Sequence, residues 1–202
     1  MALAHEAFVT LTLAALVAGF VYGVAHGFAP DHCAALASLL VKDEQGGRRA
    51  VGLSLRFGAA HALVLGTLAV PAVLIGGAFP TPWERGAEIL GGAVLVLVGV
   101  LALRRRPHHH PHGATIVGGV LALGGVRSLA IALPPLLVAG RSPLGAGFYV
   151  VAFGIGVTTA MVSFGLLLTE GTRRLGVRRP WITGATGAIS VMLGIWWVAS
   201  NL

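Results

Sequence analysis

Long apolar stretches alternate along the chain with short breaks that carry charge, proline or glycine; the stretches fall at about 7–41, 50–77, 86–103, 115–139, 144–169 and 181–200. Each reaches the roughly 18 to 20 residues that a helix needs to cross the hydrocarbon core of a bilayer. The pattern therefore predicts an all-α integral membrane protein with six transmembrane helices. The first stretch is too long for one straight span. Its 35 residues, 7 through 41, would make a helix about 52 Å long against a hydrocarbon core of about 30 Å. The weakest point is Gly27-Phe28-Ala29-Pro30, because Pro30 lacks a backbone donor and crowds the preceding turn while Gly27 relaxes the backbone. The first helix is expected to break there.

The breaks are charged unevenly. The first, third and fifth connections hold Lys42, Arg48, Arg49 and Arg56, then Arg104, Arg105 and Arg106, then Arg173, Arg174, Arg178 and Arg179; the second and fourth hold only Arg85 and Arg141. Eleven against two places loops 42–56, 104–114 and 170–180 in the cytoplasm and both termini outside, in a multi-pass protein of the cytoplasmic (inner) membrane. The net charge of +7 is then a matter of topology, and no nucleic-acid partner is expected, since these short loops offer no continuous basic face interleaved with stacking aromatics. Composition agrees: 10% charged residues, against about 25% in a soluble domain, leaves lipid as the main solvent. The opening MALAHEAF has no basic n-region, so the first stretch is expected to be retained structure. A single cysteine, Cys33, excludes a disulfide scaffold and any exchange between two thiols of one chain; among alanines it reads as a packing residue.

The two halves resemble each other. Pro82-Trp83-Glu84-Arg85-Gly86-Ala87 and Pro180-Trp181-Ile182-Thr183-Gly184-Ala185 open the third and sixth stretches 98 residues apart, and Phe57-Gly58 and Phe153-Gly154 match at nearly the same offset. Three spans per unit is odd, so the second unit must be inverted relative to the first. The expected organisation is a single transmembrane domain over 1–202: repeat one at about 7–103, a His-rich cytoplasmic loop at 104–114 and repeat two at about 115–202.

Against this apolar background, His26, Asp31 and His32 flank the expected break, and His61 lies in the second stretch. Counted inward from the cytoplasmic ends, all but His26 sit about 14 to 16 Å deep, and the break carries His26 to the same region. A carboxylate at the midplane costs several kcal/mol unless paired or coordinating, and ionisable groups inside a bilayer are functional candidates by default. Three imidazoles and a carboxylate suit nickel, cobalt, zinc or copper, whereas magnesium or calcium would call for mostly oxygen ligands. The plainer alternative is that these groups cap the broken half-helices and bond each other, or relay protons.

These residues carry a family resemblance. His26-Gly-Phe-Ala-Pro-Asp31-His32 followed by Cys-Ala-Ala-Leu resembles the H-x4-D-H signature of the nickel/cobalt transporters, especially their UreH-like (urease accessory, nickel permease) branch. Phe57-Gly-Ala-Ala-His61 is similar to that family's second motif, and Ala87-Glu88-Ile-Leu-Gly-Gly, the histidine-bearing loop and Tyr149-Val-Val-Ala-Phe-Gly-Ile-Gly156 follow in the family's order. The resemblance implies that His26, Asp31, His32 and His61 bind the metal, and that the fold is that of the wider superfamily of lysine exporters and thiol-disulfide membrane carriers. The chain departs from the pattern at Gly27, Ala60 and Ala62, and it is shorter than the eight-span transporters.

Secondary candidates are His108, His109, His110 and His112 in the third loop, where a metal-receiving cluster and a solvated basic loop are both open. Glu88 reads as a helix-start or snorkelling carboxylate, or as a mouth residue attracting cations. Arg127, near mid-bilayer, is expected to pair with Glu88 or Asp31 or to take carbonyls near Pro134-Pro135. Trp181, Trp196 and Trp197 read as interfacial anchors or packing groups. The expected activity is secondary transport of a divalent transition metal, nickel or cobalt first and zinc next, with no other cofactor; no Walker-type loop points to ATP coupling. The expected partners are the lipid bilayer, the ion, and a metallochaperone or metalloenzyme maturation protein on the cytoplasmic side. The rivals are an intramembrane zinc-dependent metalloenzyme, although no H-E-x-x-H occurs, and a metal-free membrane accessory protein.

Overall fold

Apart from Phe28, Ala29 and Gly125, every described residue of the apolar stretches is helical. The computed structural model describes residues 2–40, 47–74, 80–104, 112–125, 143–176 and 179–202. The expectations for Lys42, for His108, His109 and His110 and for Arg127 lie outside those residues. The helices are α1 (Ala2–Gly27), α2 (Pro30–Leu40), α3 (Gly47–Leu74), α4 (Thr81–Leu103), α5 (Gly113–Gly124), α6 (Pro143–Arg174) and α7 (Arg179–Asn201), with no strand among the described residues. Five of them are long and apolar enough to cross a membrane, and α5 is a shorter apolar helix whose stretch continues beyond the described residues. The chain is a multi-pass membrane protein by this measure.

The first stretch is two helices, α1 and α2, divided at Phe28 and Ala29. Few backbone bonds are lost at the break. Phe28 N–H donates to the Val24 carbonyl at 3.2 Å and Ala29 N–H to that of His26 at 3.0 Å, then Cys33 N–H donates to the Ala29 carbonyl at 3.1 Å. Pro30, with no N–H to lose, takes the first position of α2, where its fixed φ suits a helix start. The helices run beyond their apolar stretches into charged sequence: α3 begins at Gly47, so Arg48 and Arg49 are helical, and α6 continues to Arg174, where Glu170 pairs with Arg173 and Arg174 at 2.9 and 2.6 Å. Pairs three and four residues apart on one face let a charged sequence keep helical form past the apolar run.

Packing inverts the rule of soluble proteins. Leu11, Val17, Val21, Leu63, Leu97 and Leu167 face outward, while the interior gathers Phe57, Leu65, Leu95, Leu121, Tyr149 and Met161 with many glycines and alanines. Bulky apolar residues cost nothing against lipid, and small residues let helix backbones approach. Helix α1 leans chiefly on α6; α2 instead rests on α7, α4 and α6. Helix α3 packs on α5 and α6, and α4 on α7 and α5. Gly58 abuts Thr158 and Gly154 abuts Ala62, an antiparallel crossing of α3 and α6; Gly92 meets Gly194 and Gly99 meets Gly187 where α4 crosses α7, also antiparallel. At Gly23 a side chain would run into the Phe153 carbonyl, and at Gly118 into the Phe57 carbonyl. Gly23→Ala is therefore expected to destabilise the detergent-solubilised protein by about 1–3 kcal/mol through overpacking. Gly52→Ala, with nothing within 4 Å, should be neutral or stabilising by about 0.5–1 kcal/mol. Thermal unfolding of the two variants side by side checks the sign of each.

Candidate metal centre

His26 closes α1, Asp31 and His32 open α2, and His61 sits inside α3. Residues six apart on a straight helix point to different sides; the break at Phe28 and Ala29 folds His32 back so that its ring lies 4.8 Å from that of His26, edge to face. The His61 ring lies 4.4 Å from His32 and 5.3 Å from His26. Phe57, one turn earlier on α3, stacks parallel to His61 at 6.4 Å, and Phe153 of α6 flanks His26 at 5.6 Å. These aromatic walls fix the rings' rotation.

Three imidazole nitrogens meet at the centre of this arrangement. His61 Nε2 is 3.0 Å from His32 Nε2 and 3.1 Å from His26 Nε2. Metal-ligating atoms of the three residues all lie within 4.8 Å of one another, the group of three such residues found among those described. Which nitrogen carries the proton follows from what lies behind each ring. His61 Nδ1 is 3.0 Å from the Gly118 carbonyl oxygen; a carbonyl can only accept, so Nδ1 holds the hydrogen and neutral His61 presents a bare Nε2. Behind His32, Asp31 Oδ2 lies 2.8 Å from Nδ1. That contact has the distance of an ion pair without the alignment of a hydrogen bond, and neither atom makes another hydrogen bond. A carboxylate so close favours the proton on Nδ1 and leaves Nε2 of His32 bare as well. Two lone pairs then face each other at 3.0 Å. They repel unless a positive charge lies between them.

The surroundings make that repulsion costly. His61 and His32 are 0% and 2% exposed and Asp31 6%, whereas His26 is half-buried. His26, Asp31 and His32 border a cavity of about 330 Å³, whose further walls include Glu88, Trp197, Ser200 and Asn201. The sequence offered Glu88 as a helix-start or snorkelling carboxylate or as a mouth residue attracting cations; the residue is buried and borders this cavity, two turns into α4. Trp197 packs across Gly91 of α4 and Gly124 of α5, while Trp181 and Trp196 are exposed. His112 is exposed at the start of α5, where its carbonyl accepts from Ile116 N–H at 3.0 Å, away from the three-histidine group. The Cys33 thiol turns back to the Phe28 carbonyl at 3.6 Å.

Gly118, Ser200 and Asn201 escaped the reading of the sequence. A glycine contributing a carbonyl carries no chemical label in the sequence.

No protein-family model and no solved structure matches the chain. It is similar to a urease accessory protein. That protein, UreH of Bacillus sp. (strain TB-90), is 24% identical over 209 residues, a match covering 91% of this chain and 90% of the relative. The likeness to UreH thus runs through the whole helical assembly rather than through one motif, and it lies in the branch that the His26 to His32 motif resembles.

Proposed function

We propose that the chain is a secondary transporter that carries a divalent transition-metal ion, nickel or cobalt, across the cytoplasmic membrane. The ion is held by Nε2 of His26, His32 and His61, with Asp31 acting through His32. The observation that carries this reading is the convergence of three imidazole nitrogens at a helix break, Nε2 of His32 and of His61 standing 3.0 Å apart. Donors 2.0–2.1 Å from one ion and about 90° apart stand about 3 Å from each other, which is the spacing of His61 to both partners. Neutral nitrogen donors suit nickel and cobalt better than magnesium or calcium. The resemblance of the His26 to His32 motif to the nickel permease branch supports nickel in particular.

The transport cycle rests on six spans arranged as two inverted repeats. Supporting this, 96 residues separate Phe57 from Phe153, Gly58 from Gly154 and Ala62 from Thr158, so the contact of Gly58 with Thr158 maps onto that of Gly154 with Ala62. Phe57 and Phe153 also each turn a carbonyl to a glycine of another helix, Gly118 and Gly23. Rocking of one repeat against the other then opens the site to either side. In the orientation set by the basic loops, both termini lie outside, and the cavity beside His26 runs toward the outer end of α7. With 100 mV inside negative, two inward-moving charges gain about 4.6 kcal/mol, roughly three decades of concentration ratio. Uptake therefore needs no nucleotide.

The test is flux. Purified protein in proteoliposomes is expected to accumulate nickel and cobalt, not magnesium, when an inside-negative potential is imposed, and the accumulation should collapse when the potential does. Absence of flux for every ion in the panel overturns the proposal; absence of flux together with zinc-dependent hydrolysis would favour an intramembrane enzyme.

A further inference from the structure

We propose that Glu88 and Asn201 form a second cation site, built of oxygen donors, that holds the hydrated ion in the cavity ahead of the imidazole cluster. The inference rests on the transport reading and deepens it by dividing recognition into two steps.

The starting point is an amide whose orientation is fixed. Asn201, in the last turn of α7, donates from Nδ2 to the Trp197 carbonyl at 2.8 Å. An acceptor there requires the nitrogen on that side, so the oxygen must face the other way. Asn201 is 8% exposed, and its Oδ1 is buried with no hydrogen-bond partner. Leaving such an oxygen unmet costs about 1–3 kcal/mol, so the position calls for a polar guest. The residue borders the cavity of about 330 Å³ that Glu88, His26 and His32 also border. Glu88 is itself 7% exposed, on a different helix. A carboxylate and an amide oxygen that share a buried cavity are the hard donors that a divalent ion accepts without surrendering its water. Six waters occupy about 180 Å³ at about 30 Å³ each, so the cavity has room for an ion with its shell. The nitrogen donors of His26, His32 and His61 then replace water rather than meet a naked ion.

The two sites differ in selectivity. Oxygen donors accept manganese nearly as readily as nickel, whereas nitrogen donors rank manganese far below nickel. Manganese should therefore occupy the first site and fail at the second.

Manganese alone is the probe, titrated into the purified full-length chain and followed by the loss of its free-ion paramagnetic resonance signal. Binding is expected to survive His32→Ala, to weaken at least tenfold when Glu88→Gln is added, and to tighten about tenfold in Asn201→Asp, a variant that gains affinity and so cannot be mistaken for unfolding. In proteoliposomes, manganese should compete with nickel uptake by the wild type without itself accumulating, and Glu88→Gln should raise the half-saturating nickel concentration about tenfold. Manganese binding that disappears with His32 and ignores both Glu88 and Asn201 overturns the second site. Manganese binding that follows Glu88 in a protein that moves no nickel retains the site and rejects the transport reading instead.

Discussion

Replacing His61 by alanine is expected to abolish nickel uptake, lowering the initial rate in proteoliposomes at least a hundredfold and reducing tightly bound nickel from one ion per chain to none by equilibrium dialysis. His61 is the nitrogen that both other imidazoles approach, at 3.0 and 3.1 Å, so its removal leaves two donors where three had met. The loss should not come from unfolding. Helix α3 remains anchored by Phe57 and Leu65 in the apolar interior, and the Gly118 carbonyl that loses its donor costs about 1–3 kcal/mol. A variant with a modestly lower melting temperature, normal yield and no nickel is the expected combination. Uptake by His61→Ala at a tenth of the wild-type rate or better would remove the three-imidazole site from consideration.

The second large effect is expected from Asp31→Asn, which keeps the shape of the side chain and removes its charge. With Oδ2 lying 2.8 Å from His32 Nδ1, the carboxylate favours the tautomer that leaves the opposite nitrogen bare. Loss of such a partner typically weakens metal binding 10- to 100-fold, and nickel affinity, measured against a competing chelator, should fall by that amount. X-ray absorption at the nickel edge distinguishes the two roles that Asp31 can hold. If it acts through His32, the variant binds weakly but keeps three nitrogen neighbours; if it is itself a ligand, an oxygen neighbour disappears. An affinity equal to that of the wild type would exclude both roles.

Much of this arrangement was legible in the sequence, for reasons that also mark where legibility stops. The break in the first stretch was readable because Pro30 has one chemical consequence in a helix, and the helix does end at Gly27 and resume at Pro30. That His32 and His61 stand at one level followed from counting residues, since a helix rises by a constant amount per residue, and their rings lie 4.4 Å apart. Counting gives position along the membrane normal but not rotation about the helix axis. It could not say that His61 turns Nδ1 toward Gly118, or that Asp31 lies behind the His32 ring rather than beside it. Glu88 shows the same limit: seven residues beyond Thr81 it looked close enough to the surface to snorkel, yet its azimuth carries it into the cavity. Asn201 was invisible because an amide at the end of an apolar helix is ordinary, and only the fixed direction of its nitrogen leaves an oxygen stranded.

The interruption at Phe28 and Ala29 also gives the two histidines beside it different neighbours. His26 travels with α1, which leans chiefly on α6, whereas His32 travels with α2, which rests on α7, α4 and α6. Any tilt of α1 against α2 changes the separation of the two rings. In the transport reading proposed above, grip on the ion would then be a function of posture, and discharge would require only that the jaw open.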